Sequence, residues 1–421
     1  MHHSDYPLSE VPTSARKGLL STSAVLLGFT FFTATMWAGG TLGQAFPIGQ
    51  LLWIIVIGNL LLGMYAAALA YIACKSGLNS VLMGRFCFGE KGSKLSDFIL
   101  GFTQIGWYAW GTATIALVLV RTTGMPEWLE IPLMVLFGFG FCVTAMIGYK
   151  GMDWLSRFAV PAMMLFILIS LFTGLVDVRG FAGLSQQTPT ESMSVAAAVT
   201  VIIGTFISGG TQATNWSRFA KTPKIAVIST MAAFFVGNGL MVLTGALGTM
   251  IYQQADIVDV LIAQGFVTIA VLMLFLNIWT TQDNTIYNFA VAGCNLLRTE
   301  KRRLVTVGGA AIGTVLAVGG MYNLLIPFLV LLGTFIPPMG GVIMADFWLK
   351  HKGRYPSLAS AALPDFNRRG LAAYAIGAGA AYFSPLLPPL VGVAVAAGSY
   401  AVLLRLNHAT LSDTLPSTAK Q

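Results

Sequence analysis

The sequence predicts an all-α membrane protein with twelve transmembrane helices, and three observations support this fold class. Of the 421 residues, 56% are hydrophobic and only 10% are charged, which leaves too little polar surface to cover a water-soluble globule. Twelve apolar stretches reach the length of about 18 residues that a helix needs to cross a bilayer. If the N-terminus is cytoplasmic and the spans alternate, 22 of the 24 Lys and Arg residues fall in cytoplasmic segments, as the positive-inside rule requires.

The twelve predicted helices follow one another with short connections. Only Arg121 and Arg179 lie on the side opposite to the other cations, and an error of one span would destroy this asymmetry. The longest polar connections, at 76–95 and 350–369, are both predicted to be cytoplasmic, as are both termini. No small-residue cleavage pattern follows the first apolar run, so a cleaved signal peptide is not expected. The predicted helices are centred near residues 30, 62, 109, 139, 166, 203, 237, 280, 312, 335, 377 and 396.

Helices 1 and 6 are each interrupted by small and polar residues that match one another. Thr30–Gly40 reads TFFTATMWAGG and Thr205–Asn215 reads TFISGGTQATN. Because five spans separate them, the two segments enter the membrane from opposite sides, which predicts a five-plus-five inverted repeat with discontinuous helices 1 and 6. Alternatively, the paired glycines allow close helix packing. The predicted organisation is a cytoplasmic segment at 1–18, repeats at 19–177 and 190–349, two additional helices at 370–406 and a cytoplasmic tail at 407–421.

Helix 8 carries a polar stripe in the sequence LNIWTTQDNTIYN. Asn277, Thr280, Thr281, Asn284 and Asn288 follow one another at helical spacing and share one face. Inside a bilayer this face must meet protein or water. Hydroxyl and carbonyl oxygens suit a hard cation, although Thr hydroxyls also bond back to their own helix. The stripe therefore predicts an ion site beside the carbonyls that the break in helix 1 would release.

Helix 3 and the interrupted helix 6 supply aromatic rings at mid-membrane depth. Trp107 lies too deep for the interfacial aromatic belt, and Gln104 lies one turn before it. Together with Phe206, these side chains suggest a sandwich for a planar heterocycle whose edge an amide reads. Packing in the core is the alternative interpretation.

The ionisable residues argue against several other functions. Of sixteen Asp and Glu residues, only Asp283 lies well inside a predicted span, and no His does. A proton-driven carrier normally needs such a group, and an intramembrane enzyme needs a catalytic set. Although the net charge is +8, the cations follow the membrane topology, so no nucleic-acid partner is expected. The four Cys residues are isolated, which predicts neither disulfides nor a metal centre. A passive channel or a scaffold would not need paired broken helices around one site.

Blocks along nearly the whole chain resemble the nucleobase:cation symporter-1 family, and within it the cytosine permeases. They include GFTFFTATMWAGGTLG, RFCFGEKGS, TQIGW, FISGGT, LNIWTTQDN and IPPMGGVIMADF. The resemblance implies the LeuT-like fold of sodium-coupled amino-acid transporters and cytosine import by symport with Na⁺ through alternating access. It also implies a location in the bacterial inner membrane, with lipid and cytosine as partners and no obligate protein partner. Coupling to H⁺, or transport of a purine, uracil or a hydantoin, remains open.

The resemblance also implies roles for particular residues. Gln282 stands where a close relative would have Asn, so no role is assigned to it. The base would stack between Trp107 and Phe206 and be read by Gln104, Ser208, Gly209 and Asn277. The Na⁺ ligands would be the carbonyls of Gly28, Phe31 and Asn277 and the hydroxyls of Thr280 and Thr281.

Overall fold

The computed structural model describes residues 5–412, and helices account for most of them. The end of the predicted tail, residues 413–421, lies outside this range. The helices up to residue 177 are α1 (Leu19–Thr30), α2 (Thr33–Ala45), α3 (Ile48–Ser76), α4 (Ser80–Phe88), α5 (Ser93–Thr123), α6 (Glu130–Gly140), α7 (Cys142–Ile147) and α8 (Tyr149–Asp177). The chain continues with α9 (Phe181–Ser185), α10 (Val195–Gln212), α11 (Thr214–Ser217), α12 (Pro223–Met231), α13 (Asn238–Tyr252), α14 (Ile257–Ala263), α15 (Val267–Leu297), α16 (Arg302–Val318), α17 (Leu325–Phe335), α18 (Pro337–Ala345), α19 (Arg368–Phe383) and α20 (Pro388–Ser412).

Each of the twelve predicted centres lies in a helical segment. By length and composition, seven described segments can cross a membrane, and the bent pair α1 and α2 adds an eighth. The others are short, such as α19 with 16 residues, or polar, such as α15. α15 has 31 residues and buries the predicted polar stripe. Hydropathy alone therefore undercounts the helices that carry the candidate site. The chain is a multi-pass membrane protein.

The first interrupted span is broken completely. α1 ends at Thr30 and α2 begins at Thr33, and their axes are bent by 58°. The linking residues, Phe31 and Phe32, have ψ angles of 89° and 129°, far from helical values. Their side chains are buried, so the irregular backbone lies inside the protein, where a membrane protein tolerates it.

The second interrupted span differs from the prediction, because the small residues Ser208, Gly209 and Gly210 of the segment Thr205–Asn215 do not break the helix. α10 runs through these residues as a helix, and its irregular residue is Phe206, with φ −135° and ψ 17°. The glycines serve close packing instead: a Cβ on Gly209 would lie 2.7 Å from the Phe29 ring, and one on Gly210 would lie 3.3 Å from the Ala66 Cβ. The physical reason for the error is that glycine permits either an irregular backbone or a close contact.

Glycines also bring α2 against α13. A Cβ on Gly39 would lie 2.1 Å from the carbonyl oxygen of Val242, and one on Gly245 would lie 1.9 Å from that of Met36. Neither position can take a side chain without separating the helices. At Gly39, the structure therefore supports close helix packing as the role of the glycine.

Candidate functional site

A narrow cavity lies where the two interrupted spans meet α5 and α15. Its empty volume is about 240 Å³. Five of the six residues predicted to bind the base line it: Gln104, Trp107, Phe206, Ser208 and Gly209. The other lining residues are Phe29, Phe32, Thr205, Thr281 and Thr285.

Aromatic rings form the apolar part of the cavity. Phe32, from the break between α1 and α2, is roughly perpendicular both to Trp107, at a centroid distance of 5.6 Å, and to Phe206, at 6.5 Å. Phe29 contacts Phe206 edge-on at 5.1 Å. Trp107 is further held by Phe328, whose ring lies 5.4 Å away. Since these four cavity rings are buried, they form a fixed apolar frame.

Gln104 supplies a polar group that faces this frame. Its Oε1 accepts a hydrogen bond from Asn288 Nδ2 at 3.3 Å, and Asn288 Oδ1 in turn accepts one from Asn215 Nδ2 at 2.7 Å. Its Nε2 is buried and has no partner among the described residues. Buried polar groups are normally paired, so this amide is a donor available to a ligand.

The predicted cation ligands lie beside the same break. Thr281 Oγ1 donates to the carbonyl of Phe31 at 3.0 Å, which joins α15 to the end of α1. Thr280 Oγ1 donates within its own helix, to the carbonyls of Leu276 at 2.8 Å and Asn277 at 3.3 Å. All these donors and acceptors are uncharged oxygens, a set that suits a hard monovalent ion better than a transition metal.

Gly28 lies beside this cluster and faces Ser156, a residue that the sequence analysis did not select. A Cβ on Gly28 would lie 2.6 Å from Ser156 Oγ and 3.5 Å from the Thr280 Cβ. Ser156, on α8, is fully buried, and its hydroxyl has no partner within residues 5–412. An unpaired buried hydroxyl is costly, so Ser156 offers a free oxygen beside α1. Nothing in the spacing of α8 distinguishes this Ser from a packing residue.

Asn277 does not line the cavity. Its Oδ1 accepts hydrogen bonds from the backbone N–H of Thr33 at 3.0 Å and from the Thr33 hydroxyl at 2.9 Å. Thr33 is the first residue of α2, where a helix leaves its N–H groups unsatisfied. The Asn277 side chain therefore caps the second half of the broken span.

Two other polar residues of α15 point away from the cavity. Asp283 Oδ2 accepts from the Thr144 hydroxyl at 3.0 Å, and its Oδ1 accepts from Asn284 Nδ2 at 3.0 Å. Gln282 Nε2 donates to the carbonyl of Tyr108 at 2.6 Å. Neither side chain lines the cavity, and both tie α15 to neighbouring helices.

Sequence reasoning missed several lining residues. Phe32 lies within the quoted motif Thr30–Gly40 and Phe29 lies directly before it, so this position in the sequence was the available signal. Thr205 also lies in a quoted motif, but the motif does not show its partner, Asn238, whose Nδ2 donates to the Thr205 hydroxyl at 3.1 Å and to Asn59 Oδ1 at 2.8 Å. This network joins α10, α13 and α3 behind the cavity. Only the tertiary structure brings these three helices together.

Comparison with known proteins agrees with this arrangement. Residues 10–403 match the family described as permeases for cytosine/purines, uracil, thiamine and allantoin. The cytosine permease of Escherichia coli (strain K12) is 39% identical over 394 residues, which cover 93% of this chain and 92% of that protein. The allantoin permease of Bacillus subtilis (strain 168) is 24% identical over 445 residues, which cover 89% of each.

A solved structure shares the fold. It is that of Mhp1, a nucleobase-cation-symport-1 family transporter, in a closed conformation with bromovinylhydantoin bound. Its TM-score is 0.84 at 17% sequence identity, with 99% of this chain and 97% of that chain covered. The family match and the 39% identical cytosine permease confirm the resemblance found in the sequence motifs, and they indicate a transporter. The chain belongs to the family of permeases for cytosine/purines, uracil, thiamine and allantoin.

Proposed function

We propose that the protein imports cytosine together with Na⁺. The observation that carries this proposal is a small aromatic cavity with one free amide donor, placed directly beside a cluster of uncharged oxygens. Bases are planar and neutral, so a site for them needs ring faces and hydrogen-bonding groups but no charge. The similarity to a cytosine permease over 93% of the chain supports the choice of base.

The substrate would lie flat against Trp107 and Phe206, with the edge of Phe32 closing one end of the cavity. The free Nε2 of Gln104 would donate to a ring acceptor, such as the carbonyl oxygen or the unprotonated ring nitrogen of cytosine. A site built around such a donor rejects rings that present a donor at the same position, because one buried group is then left unpaired. Ser208 and Gly209 complete the wall on the α10 side.

The coupling ion would bind between α1 and α15. Its ligands would be the carbonyls of Gly28, Phe31 and Asn277 and the hydroxyls of Thr280 and Thr281. Thr281 belongs to both sites, since it lines the cavity and donates to the carbonyl of Phe31. A residue shared in this way gives a physical basis for coupling: an ion that orders Thr281 and the break also orders the wall of the base cavity. The affinities are then linked reciprocally.

The proposed topology has twelve spans with both termini in the cytoplasm. The two interrupted spans would be helices 1 and 6 of a five-plus-five inverted repeat, and transport would proceed by rocking of helix groups around the central site. The lysine and arginine asymmetry of the sequence supports this orientation.

Uptake by the purified protein in liposomes tests the proposal. Radiolabelled cytosine should accumulate under an inward Na⁺ gradient and should not do so when K⁺ replaces Na⁺. Uracil, adenine and hydantoin, each added as a competitor, would show which ring is preferred. Strong competition by hydantoin with weak competition by unlabelled cytosine would overturn the choice of base.

Proton coupling is the second candidate, and Asp283 is the observation that favours it. Its carboxyl is fully buried and faces Thr144 and Asn284, and within the described residues it forms no ion pair. Uptake driven equally well by a proton gradient in Na⁺-free buffer, and abolished by Asp283→Asn, would establish this alternative. Unchanged Na⁺-driven uptake by Asp283→Asn would leave Na⁺ as the coupling ion.

A further inference from the structure

A second and larger cavity lies near the ends of α18 and α20 and the start of α19. It lies between the segment that follows α18, the connection at 351–367, the start of α19 and the end of α20. Its empty volume is about 1,150 Å³, and none of its lining residues belongs to the base cavity. Those lining residues are Phe86, Lys350, His351, Pro356, Ala361, Ala362, Leu363, Pro364, Phe366, Asn367, Arg368, Arg369, Tyr400 and Leu404.

The charged side chains that line this cavity are all basic. Lys350, Arg368 and Arg369 line it, and no Asp or Glu is among its lining residues. Lys350 is already paired with the buried Asp346 at 3.2 Å, whereas neither arginine forms an ion pair within residues 5–412. Burial lowers the pKa of His351, so this residue is uncharged at neutral pH. Two free guanidinium groups therefore remain, a combination suited to phosphate oxygens.

Exposed apolar side chains lie in the lining of this cavity and in the chain segments next to it. Trp348, Leu349 and Phe366 are exposed, with Phe366 at 55%. On α20, which forms one wall, Val402 and Leu406 are also exposed. Exposed apolar side chains next to a cationic cavity would favour contact with the acyl region of a bilayer.

We infer that this cavity binds the headgroup of an anionic phospholipid, such as phosphatidylglycerol. The phosphate would contact Arg368 and Arg369, and the acyl chains would lie along the exposed side of α20. Basic pockets between membrane helices bind anionic headgroups in this manner. A soluble phosphate would use the two arginines but would gain nothing from the apolar rim, and this difference separates the two ligands experimentally.

Native mass spectrometry of the detergent-purified protein, supplied with phosphatidylglycerol or phosphatidylcholine, tests the inference. The wild type should retain phosphatidylglycerol and not phosphatidylcholine. The variant Arg368→Gln/Arg369→Gln should lose at least tenfold in phosphatidylglycerol retention. The control Lys352→Gln/Arg354→Gln removes the same charge from exposed positions of the same connection that do not line the cavity, and it should retain the lipid as the wild type does.

Two results would overturn the inference. One is equal retention of phosphatidylglycerol by the wild type and the arginine variant. The other is thermal stabilisation of the wild type by inorganic phosphate as large as that by the lipid, which would identify a soluble-anion site. A thermal unfolding scan of the arginine variant, measured in parallel, shows that it is folded. Because lipid retention is read without transport, it is independent of the proposed substrate and ion.

Discussion

Gly209→Ala is the sharpest test of the base cavity, because the structure identifies which atoms the added methyl would meet. A Cβ at this position would lie 2.7 Å from Cε1 of Phe29 and 2.7 Å from Cδ1 of Phe206. Ordinary van der Waals contact begins at 3.4 Å, so each ring would have to move by about 0.7 Å. Phe29 is also packed against Trp216, at a centroid distance of 4.8 Å, which limits its retreat on that side.

The expected cost follows from this crowding. Adding a methyl group to a well-packed interior costs about 1–3 kcal/mol. If the rings move into the cavity and this cost falls on the bound state, the Kd for cytosine rises by about 5- to 150-fold. The assay is a binding titration with the purified protein, accompanied by a thermal unfolding scan.

Gly204→Ala provides the matched control. Gly204 lies in the same helix, and nothing is found within 4 Å of the position that its Cβ would take. This variant should keep its cytosine affinity and gain up to about 1 kcal/mol from helix propensity. Combining Gly209→Ala with Phe29→Leu should recover part of the lost affinity, as expected for residues in contact. Equal dissociation constants for the two alanine variants would refute the assignment of this cavity to the base.

Three further substitutions test the remaining parts of the site. Trp107→Ala should weaken cytosine binding by about 1–3 kcal/mol, the usual range for a base stacked on an aromatic ring, and an unchanged titration would remove Trp107 from the site. Thr281→Val keeps the shape but loses the hydrogen bond to the Phe31 carbonyl, so the Na⁺ concentration for half-maximal uptake should rise about fivefold for a loss of about 1 kcal/mol. Ser156→Ala should also raise the Na⁺ concentration for half-maximal uptake, because the ion would lose the Ser156 hydroxyl as a ligand. Higher thermal stability with unchanged Na⁺ dependence would show instead that this hydroxyl is only an unpaired buried group.

Local patterns were sufficient to predict the helices and much of the cavity. The polar stripe of α15 is visible in the sequence because helical spacing alone places Thr280 and Thr281 on one face. Gln104 and Trp107 could be selected because their depth in a long apolar helix is unusual for their side chains. In these cases the informative signal lies within one helix, and no knowledge of the partner helix is needed.

Contacts between helices set the limit of that reasoning. Ser156 could not be recognised, because its role depends on facing Gly28 across a helix interface. The position of the second irregularity was also wrong, since the sequence cannot tell a glycine that bends the backbone from one that admits a neighbouring ring. Asn277 was expected to read the base, whereas its side chain lies outside the cavity and caps α2 at Thr33. Each of these properties depends on two segments far apart in the chain.

The two interruptions also differ in the side chains that hydrogen-bond to their backbone groups. Beside the break between α1 and α2, α15 supplies both a donor, Thr281, to the Phe31 carbonyl and an acceptor, Asn277, to the Thr33 N–H. At Phe206, by contrast, no side chain from another helix hydrogen-bonds the backbone of residues 204–210 in the described part of the chain. The first interruption is therefore held by protein on the side where an ion would bind, and the second faces a cavity that only a ligand can complete. In the proposed cotransport, an ion between α1 and α15 would fix one wall of the cavity, and a base against Phe206 would fix the other.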